Sequence, residues 1–124
     1  MLERNNWHPT LLEIKSSIEF ITSQKYNSVL ANYYRDGSDS MGWHSDDESM
    51  LDKDSAIASV SFGQERPLHF KHKNQDISFA IDQSHGSVIV MDGDTQKYWK
   101  HCIKKSKKLM KPRLNLTFRT IITA

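Results

Sequence analysis

The sequence predicts a mainly β domain folded as a double-stranded β-helix, a two-sheet jelly roll of about eight strands with one N-terminal helix. Three observations predict it. Residues 10–22 carry apolar side chains at helical spacing (Leu11, Ile14, Ile18, Ile21), the mark of a single amphipathic helix. From Asn27 onward, short runs rich in β-branched and aromatic residues alternate with Gly, Asp, Ser and Asn punctuation. The last run, RLNLTFRTII, alternates polar and apolar residues with a period of two, as a strand between two environments must. Many short strands behind one helix bury their apolar faces best as two packed sheets or a small barrel. An immunoglobulin-like sandwich is the structural competitor, but it offers no reason for the polar residues described below.

Taken in order, the helix starts where Pro9 suits a first turn and Thr10 with Glu13 can form a capping box. The expected barrel, residues 27–122, contains the runs NSVLANYY, MGWHSD, AIASVSFG, PLHFKHK, DISFAI, GSVIVMD, KYWKHC and RLNLTFRTII. Turns are expected at Arg35-Asp36-Gly37, at Gln83 to Gly86, and at Asp92-Gly93-Asp94.

The chain of 124 residues supports one domain, 1–124, with one modest core. Its 37% hydrophobic and 26% charged residues exclude wholesale disorder. No apolar run is long enough to span a bilayer, and MLERNNWHPT does not read as a leader peptide. A lone cysteine, Cys102, leaves no internal disulfide partner and fits a reducing cytosol. The expectation is a monomeric cytoplasmic protein, working at the nucleoid if bacterial and in the nucleus if eukaryotic. A net charge of +2 does not by itself identify a polyanion-binding protein. The run from Lys100 to Arg113 is locally dense in lysine, which on its own reads equally well as a solvated loop.

His44-Ser45-Asp46 sets an imidazole and a carboxylate two residues apart, on one face if the segment is a strand. His101 follows in a separate expected strand. Two imidazoles and one carboxylate make the facial triad that leaves three positions open on a non-haem iron, enough for a 2-oxo acid to chelate and for oxygen to bind. A zinc site or a hydrogen-bonded surface histidine uses the same residues. His69, His72 and His85 are assigned nothing.

In the last run Arg113, Asn115, Thr117 and Arg119 share one face, and Leu114, Leu116 and Phe118 share the other. The bland reading is an exposed strand with its polar side in water. The alternative is a floor for a dicarboxylate, because guanidinium groups grip carboxylates with two prongs. The two arginines, six residues apart, span roughly 20 Å of strand and so would reach opposite ends of a small ligand. Asn32 and Tyr34 share a face of the first strand and can reach the same pocket.

Together these residues resemble the AlkB-type demethylases of alkylated nucleic acids, with the nearest likeness to the animal duplex-DNA branch. The likeness runs from about Trp7 to Ile122, through the blocks ANYYRDGSDSMGWHSDDE, IASVSFG, HGSVIVM and KPRLNLTFR. It implies Fe(II), 2-oxoglutarate as co-substrate and O2. His44, Asp46 and His101 match the iron ligands. Arg113 matches the arginine for the distal carboxylate of 2-oxoglutarate, and Arg119 the one near the iron-chelating carboxylate. Asn32, Tyr34, Asn115 and Thr117 match the polar residues around the co-substrate. Asp47 matches the acid that faces the exocyclic amine of a flipped base, with Glu48 as an acidic neighbour. In that setting Lys104, Lys105, Lys107, Lys108 and Lys111, expected near the pocket mouth, would contact phosphates.

The implied reaction is oxidative demethylation of N-alkylated bases, with 2-oxoglutarate converted to succinate and formaldehyde released; DNA is the favoured polymer and RNA the other. The resemblance departs at the N-terminus, where only one helix precedes the first barrel strand, so the nucleotide-recognition lid is expected to be missing and repair of duplex DNA weak. Trp7, Tyr33 and Trp43 are the candidate substitute aromatics; core packing suits Trp7, and Trp43 is expected to point away from the iron. The competing functions are a 2-oxoglutarate oxygenase acting on protein or a small molecule, and a truncated, catalytically weak nucleic-acid-binding barrel.

Overall fold

The structure, a computed structural model, describes residues 7–122. Helix α1 (Pro9–Thr22) is followed by β1 (Ser28–Tyr34), β2 (Met41–His44), β3 (Ile57–Gly63), β4 (Arg66–His72), β5 (Ser78–Gln83), β6 (Val88–Met91), the short helix α2 (Gly93–Tyr98), β7 (Trp99–Ile103) and β8 (Arg113–Arg119). The strands form two antiparallel sheets, ordered β1-β8-β3-β6 and β2-β7-β4-β5. This is the expected eight-stranded double-stranded β-helix. Among the described residues no helix is long and apolar enough to cross a membrane. Residues 1–6 of the segment read as no leader, and the last two of the expected domain, lie outside the described residues.

Two apolar clusters hold the layers together. One, between the sheets, gathers Tyr34, Leu51, Ile57, Leu68, Phe70, Met91 and Ile103. The other packs α1 on the outer face of the first sheet, where Ile18 and Tyr26 meet Ala58, Val60, Leu116 and Phe118. Trp7 joins this second cluster and stacks on Phe118 at 6.3 Å between centroids, which is core packing. Strand β8 lies between β1 and β3, so Leu116 and Phe118 are buried against the helix while Arg113 and Asn115 are buried against the other sheet. Neither face carries an exposed residue, and the bland reading of a strand with its polar side in water fails.

Several local expectations are corrected. The N-cap of α1 is His8, whose Nδ1 accepts from Thr10 N–H at 3.1 Å; Thr10 lies inside the helix because Pro9 takes the first helical position, so no Thr10–Glu13 box forms. Ile21 is 65% exposed, at the trailing edge of the stripe in the last turn before Ser23 adopts φ 57°. The turn at 92–94 opens α2, capped by Asp92, so Lys97 and Tyr98 are helical and β7 begins at Trp99. Strand β8 ends at Arg119, and only an isolated bridge from Ile121 to Leu51 continues it.

Candidate metal centre

Strands β2 and β7 bring the two imidazoles together: His44 and His101 are register partners, their rings edge to face at 4.3 Å. Asp46 lies two residues beyond the end of β2, so a shared strand face, as expected from the sequence, is not what brings it to His44. Side chains replace the missing ladder. Ser45 Oγ donates to the Trp99 carbonyl at 2.7 Å, and Asp46 N–H donates to Gln96 Oε1 at 2.7 Å. These two bonds hold the carboxylate over the histidines, with Oδ2 3.4 Å from His101 Nε2 and Oδ1 3.9 Å from His44 Nε2.

One ligand atom from each of His44, Asp46 and His101 lies within 4.8 Å of the others, the cluster with metal-binding geometry among the described residues. His44 Nδ1 sits 2.8 Å from the Gly42 carbonyl, which can only accept, so Nδ1 carries the proton and Nε2 presents its lone pair inward. Burial presses the Asp46 carboxyl upward, but hydrogen bonding and charge from His101, with His44 and Arg119, outweigh it and hold the group below the ordinary carboxylate range. An N,N,O donor set that leaves half an octahedron open fits ferrous iron.

The same cavity is lined by Asn32, Tyr34, Ser59, Arg113, Asn115 and Thr117. Cross-strand register explains the grouping, since Tyr34 lies opposite Arg113, and Asn32 opposite Asn115. Asn115 Nδ2 donates to Ser59 Oγ at 2.8 Å and its Oδ1 accepts from Thr117 at 3.0 Å, so these polar groups are wired to one another. Arg113 differs. It is 2% exposed, donates once, to Ser61 Oγ at 3.0 Å, and keeps Nε and Nη1 buried without a partner among the described residues. Burial pushes its guanidinium pKa down, against the opposing pull of Tyr34, whose ring centroid is 5.1 Å away. Two open donors on a buried cation match a carboxylate.

The remaining residues expected at the site separate from this group. Arg119, 9% exposed, lies beside the cavity, with Nη1 3.8 Å from Glu48 Oε1. Glu48 is thereby paired with Arg119. Asp47 is exposed and lines a neighbouring cavity that shares Asp46 with the first and is also lined by Gln96. Lys104, Lys105, Lys107 and Lys108 are exposed on the β7–β8 connection, and neither they nor Lys111 line the triad cavity. That connection is pinned to the 35–39 turn by Ser106 N–H to the Gly37 carbonyl and by Arg66, which donates to the carbonyls of Lys104, Asp36 and Asp39. Its lysines are outer-surface groups, a correction to their expected place at the mouth. Trp43 is 38% exposed and faces outward, as strand alternation requires beside an inward His44.

Sequence reasoning missed Gln96, Ser59, Ser61 and the buried Arg66. The serines had a signal, the period-two spacing in IASVSFG. Gln96 had none, because its partner is a backbone N–H 50 residues away.

The profile of the 2OG-Fe(II) oxygenase superfamily matches residues 2–119. The chain is 42% identical over 125 residues to the alpha-ketoglutarate-dependent dioxygenase alkB homolog 3 of Bos taurus, an alignment covering 94% of this chain and 44% of that protein. It is 40% identical over 124 residues to the DNA oxidative demethylase ALKBH2 of Homo sapiens, covering 94% and 48%. The chain thus spans less than half the length of these curated relatives. The solved structure of OsALKBH1 superposes with a TM-score of 0.61 at 23% identity, over 91% of this chain and 64% of that one, a likeness of fold alone.

Proposed function

The chain belongs to the 2OG-Fe(II) oxygenase superfamily, on its AlkB-type branch, and from that premise we propose that it oxidatively demethylates N-alkylated bases in nucleic acid. The family's cofactors are Fe(II), 2-oxoglutarate and O2. One observation carries the reading: a single cavity holds a two-histidine, one-carboxylate cluster and a buried arginine with two open nitrogens.

In this reading His44, Asp46 and His101 hold the iron, and Arg113 grips the distal carboxylate of 2-oxoglutarate. Tyr34, Asn32, Asn115 and Thr117 shape the co-substrate pocket, and Arg119 supplies positive charge beside the metal. When bound, iron and 2-oxoglutarate supply the oxidising power that hydroxylates an N-methyl carbon, with succinate, carbon dioxide and formaldehyde as products. The chain's own work is to position. His44, 32% exposed in its side chain, forms the open rim over which a flipped base would lie. Asp47 faces the exocyclic amine of that base, and Glu48 with Arg119 borders it. The outer-surface lysines 104, 105, 107 and 108 meet phosphates. DNA is the polymer that the similarity to ALKBH2 favours.

The test is formaldehyde release from methylated single- and double-stranded oligonucleotides with Fe(II), 2-oxoglutarate and oxygen. Asp46→Ala should abolish all products and lower metal affinity in a titration without co-substrate. Products persisting in that variant would remove the triad assignment.

A further inference from the structure

We infer that the outer face of the β2-β7-β4-β5 sheet is a nucleic-acid track, on which Trp43, Lys71, Lys100 and Lys104 bind the polymer that flanks the base in the site. The inference rests on the nucleic-acid reading above and extends it to where the rest of the strand lies.

Strand alternation builds this face. His44 and His101 point into the barrel, so their neighbours Trp43 and Lys100 point out. Lys71 is the register partner of Lys100, and His69 that of Cys102, on the next strand. Lys71 Nζ lies 4.3 Å from the centroid of the Trp43 ring, which stays 38% exposed. Trp43, His69, Lys71 and Lys104 line one groove. Burial first, and the charge of Lys104 next, hold the His69 imidazole below its ordinary pKa.

These charges are not balanced among the described residues. Among the described residues none of Lys71, Lys100 and Lys104 has an ion-pair partner; Asp76 lines the same groove and Asp82 acts on His69, and neither pairs with these lysines. Like charges directly opposite on neighbouring strands repel, so Lys71 across from Lys100 is unfavourable until an anion bridges them. An exposed indole among such cations is the pairing that binds single strands, with phosphate on ammonium and base on aromatic ring. Trp43 is also next in sequence to His44, so a strand leaving the rim over β2 passes onto this face.

The test compares the native chain with a Lys71→Gln/Lys100→Gln variant in binding a methylated single strand of about fifteen nucleotides, a length within the usual site-size range. Each lost phosphate contact removes about 0.7 from the slope of log affinity against log salt, so the double variant should lose about 1.4. Between about 50 and 200 mM salt the native affinity should therefore fall about sevenfold more than the variant's. Lys71→Arg/Lys100→Arg should restore the native slope. Equal slopes for the native chain and the Gln variant overturn the track. A methylated trinucleotide, too short to leave the site, separates the failures. Native turnover of it alongside equal slopes sinks the track alone, whereas no turnover of either length sinks the nucleic-acid reading and the track with it. Phosphatidylserine vesicles displacing the oligonucleotide at equal phosphate would assign the face to a lipid surface and also overturn the proposal.

Discussion

Replacing Arg113 by Met should make the unliganded protein more stable while nearly destroying its affinity for 2-oxoglutarate. The side chain is 2% exposed, makes one hydrogen bond, to Ser61, and leaves two nitrogens unpartnered. Each unsatisfied buried donor costs about 1–3 kcal/mol, and the one bond to a charged group returns about 1.5–3 kcal/mol. Methionine fills similar space without donors, so at mid-range about 4 kcal/mol is recovered against about 2 lost, a net gain of about 2 kcal/mol. For a domain of this size that raises the melting temperature by roughly 3–9 °C. Loss of one member of a buried charge pair weakens binding by about 2–5 kcal/mol, which is roughly 30- to 5000-fold in affinity. Scanning calorimetry with and without Mn(II) and 2-oxoglutarate measures both, with isothermal titration for the affinity. A melting temperature that falls as for an ordinary core truncation, or an undiminished shift on adding 2-oxoglutarate, refutes the reasoning.

Gln96→Leu removes the acceptor that holds Asp46 N–H and should weaken metal affinity about 10- to 100-fold, with Gln96→Glu rescuing most of it; Co(II) titration decides, and an unchanged affinity counts against the clamp. Gly63 and Gly86 share positive φ, 89° and 79°, but a Cβ at Gly63 would lie 2.5 Å from the Pro112 carbonyl oxygen while at Gly86 it meets nothing. Gly63→Ala should therefore cost at least about 1 kcal/mol more than Gly86→Ala in urea unfolding, and equal costs would show that the backbone gives way. Glu19 accepts Tyr26 N–H at 2.8 Å, and that bond, with Lys15 at 3.2 Å, holds its carboxyl below the ordinary range. Its folded pKa being the lower one, the stabilisation is present above the unfolded pKa and lost as pH falls through the folded value. Glu19→Gln should thus be less stable than the native chain at neutral pH, with the gap closing in acid; a pH-independent gap in chemical denaturation rejects this.

Much of the architecture was legible because β structure repeats every two residues. The alternation in RLNLTFR sorted Arg113, Asn115 and Thr117 from Leu114, Leu116 and Phe118, and the barrel keeps that sorting. The limits of α1 were legible from Pro9 and its stripe, but not the cap, since His8 capping through Nδ1 depends on a rotamer. The start of β7 was misjudged because KYWKHC suits a strand throughout, and only the Asp92 cap turns its first residues into helix. The lysine connection was placed by sequence proximity to His101, whereas Arg66 and Gly37 decide where it packs.

By itself, the sequence determined the residue types of the site and their order, since ligand chemistry and strand period are local properties. It also determined that one face of the last strand would be polar. Only the tertiary structure decided that this face would be buried, because burial depends on the second sheet lying across it. It alone brought Asp46, off its strand, onto the histidines through Gln96, a contact across 50 residues that no local pattern encodes. And it alone left Arg113 with two unmet donors, a property of the surroundings and not of the residue.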